Sequence, residues 1–123
     1  MDGHGHRMLL VEDSEGTRLA LRRIFARRGW EVIEAATIAK GVAILDHSDP
    51  PDCLILDMDL PDGRGDTILR KVRDERLPTR VVVHSGTQDE ALLRELEALR
   101  PDAVLPKPAD PDRLCRACGV VTA

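Results

Sequence analysis

The run Cys53-Leu54-Ile55-Leu56 is apolar without interruption, and it stops abruptly at Asp57-Met58-Asp59-Leu60-Pro61-Asp62-Gly63. A short apolar run that does not alternate, bounded by turn residues, is the pattern of a strand covered on both faces in a parallel sheet. Such a strand delivers Asp57 from its C-terminal end to an open loop. In open α/β sheets that edge is where ligands bind. An Asp just after a strand is also a common cap of a turn or helix, so the rest of the chain decides between the two.

The same arrangement recurs along the chain. Met8-Leu9-Leu10-Val11 ends at Glu12-Asp13, and from Ser14 to Arg28 the residues Leu21, Ile24 and Phe25 share one face at helical spacing. Arg18, Arg22, Arg23, Arg27 and Arg28 cover the other face, and Gly29 is a plausible C-cap. Trp30 to Ala35 alternates like a short strand near a sheet edge. Thr37 then caps a helix carrying Ile38, Val42 and Leu45, which ends at Asp49-Pro50-Pro51.

Residues 60–65 read as a loop, and Ile68, Leu69 and Val72 give the next helix its apolar face. Arg80-Val81-Val82-Val83-His84 is a strand ending at Ser85-Gly86-Thr87, and 89–100 is an amphipathic helix on Leu92, Leu96 and Leu99. Asp102 to Leu105 is a fifth strand, closed by Pro106-Lys107-Pro108, and a last helix over 111–118 is anchored by Leu114. Five strand-helix units over short connections imply a parallel sheet with right-handed crossovers and helices on both faces.

Composition narrows the function. A chain of 123 residues, 42% hydrophobic, suits one domain with a substantial core, which the sequence delimits as 7–119 between a disordered leader at 1–6 and a tail at 120–123. One Phe, one Trp and no Tyr leave almost no surface for stacking bases, and a net charge of -4 lacks the basic footprint of a nucleic-acid binder. No apolar run approaches membrane-spanning length, so a cytoplasmic location with no direct contact to nucleic acid or membrane is expected. Cys53, Cys115 and Cys118 are odd in number, and the Cys115-x-x-Cys118 pair lacks a second ligand pair. Ordinary buried cysteines are the expectation rather than a redox or metal motif.

The strand C-termini gather Glu12, Asp13, Asp57, Asp59, Ser85, Thr87 and Lys107 at one edge. Carboxylates brought so close repel one another unless a cation compensates. Mg²⁺ fits, because it prefers oxygen ligands and keeps waters and phosphate oxygens beside one or two carboxylates. Asp13 and Asp57 are the favoured ligands, with Glu12 bound directly or through water. A hydroxyl and a lysine beside such a cation suit phosphoryl transfer, whose migrating group spreads negative charge over three equatorial oxygens. Asp57 is then the nucleophile, with Lys107 and Ser85 on the remaining oxygens, and Gly86 leaves the approach open.

On these residues the chain resembles the receiver domains of two-component response regulators, over essentially residues 7–118. Carrying the resemblance are the acidic pair Glu12-Asp13, the acceptor Asp57, Leu60-Pro61 with Gly65, Ser85, and Lys107-Pro108, each at the matching strand end. It implies a flavodoxin-like α/β/α sandwich whose five strands are ordered 2-1-3-4-5 and flanked by five helices. It further implies Mg²⁺-dependent phosphorylation of Asp57 by a histidine kinase or phosphotransfer protein, slow self-hydrolysis, and a surface change read by a downstream protein or attached output domain. The X–Pro bond of the Lys107-Pro108 pair is one that the family often holds cis.

Two positions depart from the family pattern. Val104 stands where receivers commonly carry an aromatic residue, and an aliphatic side chain cannot signal by the inward rotation of a ring. Asp59 adds a carboxylate near the phosphoryl group, where it either supplies a metal or water contact or slows an anionic donor; Thr87 bears on access for hydrolytic water. Two alternatives stay open. Asp57-Met58-Asp59 also resembles the first motif of haloacid-dehalogenase phosphatases, although it lies mid-chain and is followed by Pro61. A receiver-like interaction module that is never phosphorylated is the other.

Overall fold

A computed structural model describes residues 6–119. The chain runs β1 (Arg7–Val11), α1 (Glu15–Arg27), β2 (Glu31–Ala35), α2 (Ile38–His47), β3 (Cys53–Leu56), β4 (Asp59–Leu60) and β5 (Gly63–Arg64). It continues through α3 (Asp66–Asp74), β6 (Arg80–Ser85), α4 (Glu90–Ala98), β7 (Ala103–Pro106) and α5 (Pro111–Ala117). Five strands form one parallel sheet in the order β2-β1-β3-β6-β7, which is the expected 2-1-3-4-5 once the short β4–β5 pair is set aside.

The strand periodicity explains the three layers. Leu9, Val11, Leu54, Leu56, Val81 and Val83 point to one face and pack with Leu45, Ile68, Leu69, Val72 and Leu96 from α2, α3 and α4. Their neighbours Met8, Leu10, Cys53, Ile55 and Val82 point to the other, against Leu21, Phe25 and Leu114 from α1 and α5. Both faces of the central strands are therefore buried, which is why those strands read as unbroken apolar runs. Among the described residues no helix is long and apolar enough to cross a membrane.

Helix starts follow local capping chemistry. The Ser14 hydroxyl accepts the Thr17 N–H at 3.3 Å, Thr37 accepts from Lys40 at 3.1 Å, and Asp89 accepts from Ala91 at 2.9 Å. Gly29 follows the Arg28 C-cap of α1 at φ +88°, a backbone conformation that suits glycine.

Three expectations need correction. Residues 60–65 are not a plain loop, because Asp59–Leu60 pairs antiparallel with Gly63–Arg64 as a small hairpin. The helix over 89–100 is shorter, Glu90–Ala98, since Leu99 caps it and Arg100 turns to φ 58°. His6, expected in the leader, joins the fold: its carbonyl accepts the Glu31 N–H at 2.8 Å and its ring packs on Trp30 at 4.9 Å. The remaining leader residues 1–5 and the tail 120–123 lie outside the described residues.

The three cysteines are free and buried. A hydrogen bond to Cys53 and burial push the Cys118 thiol far above its ordinary range, and burial raises Cys115 as well. A buried thiol held protonated is a poor nucleophile and a poor metal ligand.

Candidate functional site

The parallel register ends β1 and β3 level with each other, Val11 beside Leu56, and β6 level with β7, Ser85 beside Pro106. The residues that follow or end these strands therefore arrive at one edge. Carboxylate oxygens of Glu12, Asp13 and Asp57 lie within 4.8 Å of one another. Asp13 is exposed, whereas Glu12 and Asp57 are 1% and 3% exposed. Asp57 thus differs from its expected place on an open loop: a cation lies over it and shields it.

That cation is Lys107. Its Nζ donates to Glu12 Oε1 at 2.7 Å and stands 3.1 Å from Asp57 Oδ2. Burial alone would push the Lys107 pKa down, but the Glu12 hydrogen bond and the adjacent Asp57 outweigh it and leave it above its ordinary value. Burial pushes Glu12 up, with Asp57 adding to that, and the hydrogen bonds from Lys107 and from the Ser14 N–H, 3.1 Å from Oε2, offset this in part. Both Glu12 oxygens are thereby engaged, which suits it to a water-mediated role toward a cation. The Asp13 carboxylate has no hydrogen-bond or ion-pair partner among the described residues, and it is free to ligate directly. The arginine Arg18, whose position on the outer face of its helix resembles a solvated charge, donates to Glu12 O at 2.7 Å and Asp13 O at 3.0 Å. It fixes the backbone of the acidic pair.

Ser85, 2% exposed, ends β6 beside this cluster. Its Oγ accepts the Thr87 N–H at 3.1 Å, so the hydroxyl proton is available to a further acceptor. Thr87 in turn accepts the Asp89 N–H at 3.2 Å and is half-buried, which ties the segment after β6 to the start of α4. At Gly86 a Cβ would meet only Lys107 Cβ at 4.0 Å, so the open approach does not depend on glycine.

Asp59 is exposed and stays outside the carboxylate cluster. Only its backbone joins the site, donating N–H to Asp57 Oδ1 at 3.2 Å. Across the hairpin, Arg64 reaches Asp66 and Glu95, each at 2.9 Å, and so links the turn after Asp57 to α4. Asp62 accepts the Ile38 and Ala39 N–H groups at 2.9 and 3.0 Å, which holds its pKa below the ordinary carboxylate value and fixes the hairpin tip on the start of α2.

Val104 lines a cavity of about 250 Å³ together with Ser85, Thr87, Leu93, Glu97 and Pro106. The space runs from Ser85 to α4 and is left by a short side chain on β7. The Lys107–Pro108 bond is cis.

The donor set is all oxygen, with one exposed carboxylate, one shielded carboxylate and one carboxylate already paired to lysine, and it fits a hard divalent cation such as Mg²⁺. The three carboxylates, with Lys107 paired to two of them, form one oxygen-rich donor cluster at the strand ends.

The model of the response regulator receiver domain matches residues 8–118. The photosynthetic apparatus regulatory protein RegA of Cereibacter sphaeroides is 31% identical over 117 residues, which span 94% of this chain and 62% of that protein. Sporulation initiation phosphotransferase F of Bacillus subtilis is 29% identical over 110 residues, spanning 88% of this chain and 86% of that protein. A CheY-like response regulator receiver domain protein from Methanospirillum hungatei superposes with a TM-score of 0.86 at 25% identity, covering 92% of this chain and 90% of that one. The chain spans less than two thirds of the length of several curated relatives that it matches.

Proposed function

Since this chain belongs to the response regulator receiver family, we propose that Asp57 is its phosphoryl acceptor and that Glu12, Asp13, Ser85 and Lys107 complete the acceptor site. The observation that carries the reading is the position of Lys107 Nζ, 2.7 Å from Glu12 and 3.1 Å from Asp57, above a cluster that includes Asp13. A surface lysine would not bridge two shielded carboxylates.

In the proposed reaction the N–P bond of a phosphohistidine on a kinase or phosphotransfer protein breaks as a bond forms between phosphorus and an Asp57 carboxylate oxygen. The leaving imidazole keeps the electron pair and takes up a proton. Lys107 neutralises charge on one equatorial phosphoryl oxygen, and the Ser85 hydroxyl, its lone pair occupied by Thr87, donates to another. Asp13 and Asp57 would hold Mg²⁺ directly and Glu12 through water; the ion, when bound, neutralises charge on the transferring group. The Asp59 N–H steadies the Asp57 oxygen that does not face Lys107. The chain then acts as a phosphoryl acceptor with slow self-hydrolysis, in the cytoplasm, and passes the change to a downstream protein or attached output domain. With Val104 in place of an aromatic, the route of that change runs through Thr87, Arg64 and α4 rather than through a ring.

Beryllofluoride, which mimics a phosphoryl group on aspartate, tests the site. With Mg²⁺ it is expected to bind one equivalent and to shift the amide resonances of Ser85 and Lys107. No binding, or shifts remote from both residues, rejects Asp57 as the acceptor.

Asp59→Asn tests the charge beside the site. A carboxylate about 7 Å from an anionic donor in water opposes its approach by about 0.6 kcal/mol. Labelling by acetyl phosphate is therefore expected to be about threefold faster in the variant, as read from the time course of phosphoprotein by intact mass. Unchanged labelling and decay make Asp59 a solvated loop acid.

A further inference from the structure

The mechanism above leaves His84 without a role. It is 5% exposed on β6, one residue before Ser85, and it shares the sheet face of Val82 that packs against α1 and α5. A buried histidine inside an apolar layer is costly unless its polar atoms are used. One is used: Nε2 accepts the backbone N–H of Ala109 at 3.4 Å, while Nδ1 has no partner among the described residues. Burial, with nearby Lys107 adding to it and Asp57 opposing, lowers the His84 pKa to about 4, so at neutral pH the ring is uncharged and one nitrogen is free to accept.

Ala109 is the residue that matters for Lys107. The turn 107–109 has only two backbone donors, because Pro108 has none. The first, Lys107 N–H, goes to the carbonyl of Ser85 at 2.9 Å. The second, Ala109 N–H, goes to His84. Consecutive residues of β6 therefore hold the turn on both sides of Pro108, and between those two fixings the Lys107 side chain projects toward Glu12 and Asp57. A leucine or valine would fill the same apolar layer, yet it would leave the half-buried Ala109 N–H without an acceptor.

We propose that His84 is a positioning residue: its imidazole Nε2 captures the Ala109 N–H and so fixes the turn that aims Lys107 at Asp57. This rests on the reading of Asp57 as phosphoryl acceptor. His84 touches neither the acceptor nor the phosphoryl group; it acts through the backbone of the turn. Displacement of a charge-stabilising group by a fraction of an ångström is enough to slow group transfer measurably.

Wild type, His84→Leu and His84→Gln are compared for labelling by acetyl phosphate at saturating Mg²⁺ and donor. Glutamine extends an acceptor oxygen to about the reach of Nε2, whereas leucine keeps the bulk and removes the acceptor. The expected result is labelling about tenfold slower in His84→Leu, with glutamine within about twofold of wild type. Long-range ¹⁵N–¹H correlation on wild type is expected to find the ring proton on Nδ1 and Nε2 unprotonated. A folded leucine variant that labels at the wild-type rate, a glutamine variant as slow as leucine, or a proton on Nε2 each overturns the proposal. Should the leucine variant not fold, the glutamine rate and the wild-type tautomer decide. If wild type itself takes no label, the acceptor reading fails and the proposal falls with it; label on wild type with an unaffected leucine variant rejects the proposal alone.

Discussion

Asp57→Asn is expected to abolish phosphoryl labelling while leaving the fold intact. Labelled wild type should gain the mass of one phosphoryl group per chain, and the variant none, because a neutral amide is neither an anionic nucleophile nor a strong ligand for a hard cation. The effect on stability without Mg²⁺ is the balance of two opposed changes. Removing the Asp57 charge relieves the repulsion that helps to push Glu12 up, but Lys107 then faces an amide 3.1 Å away and keeps only the 2.7 Å contact to Glu12. The net change in urea unfolding is expected to lie within about 1 kcal/mol of zero. Mg²⁺ separates the two proteins more sharply: at 100 times its Kd it would stabilise wild type by about 2.7 kcal/mol, and the variant by much less. A variant that still takes up one phosphoryl per chain would move the acceptor elsewhere, with Asp13 and Asp59 the next carboxylates to test.

The sheet and its acidic edge were legible because both depend on local patterns. Unbroken apolar runs such as Leu54-Ile55-Leu56 report burial on two faces, and the polar residue that ends each run marks the same edge of a parallel sheet. What stayed hidden depends on partners remote in the chain. Lys107 was legible at the acidic edge from the end of its strand, but its ion pair with Glu12, 95 residues away, has no local signal. Arg18 resembled any other arginine on the polar face of α1, yet it holds the carbonyls of the acidic pair. Asp62 resembled a turn residue and is one, but its carboxylate also caps α2 from 24 residues away. His84 follows Val81-Val82-Val83 at the end of its strand with nothing to mark a role; its use becomes visible only where Ala109 folds back onto β6. Asp59, two residues after Asp57, looked like its partner, and strand geometry instead turns its backbone toward the site and leaves its carboxylate in solvent.

Gly65→Ala is expected to be among the most damaging single-methyl additions in the chain. Gly65 has an ordinary helical backbone, φ -62° and ψ -21°, so left-handed geometry is not the reason it is glycine. Space is the reason. A Cβ there would lie 2.0 Å from the carbonyl oxygen of Asp57, 3.0 Å from its carbonyl carbon and 3.1 Å from Leu56 Cδ1. Two of these atoms are backbone and cannot swing aside. The Gly65 N–H also bonds to Met58 O at 2.9 Å, which pins the start of α3 against the segment following β3. A methyl group must therefore push α3 away or displace the peptide that carries the acceptor, and overpacking of this kind costs about 3 kcal/mol. Urea denaturation should report that loss at an unchanged slope, which distinguishes a strained native state from a changed unfolded one. Gly16→Ala supplies the opposite sign. Gly16 lies in the first turn of α1 with nothing within 4 Å of its Cβ position, and there alanine should stabilise by about 0.5 to 1 kcal/mol through helix propensity and a smaller entropy loss. If Gly65→Ala unfolds at the wild-type midpoint, the close approach of α3 to the Asp57 carbonyl is wrong. The acceptor would then not be braced from behind by the helix that follows it.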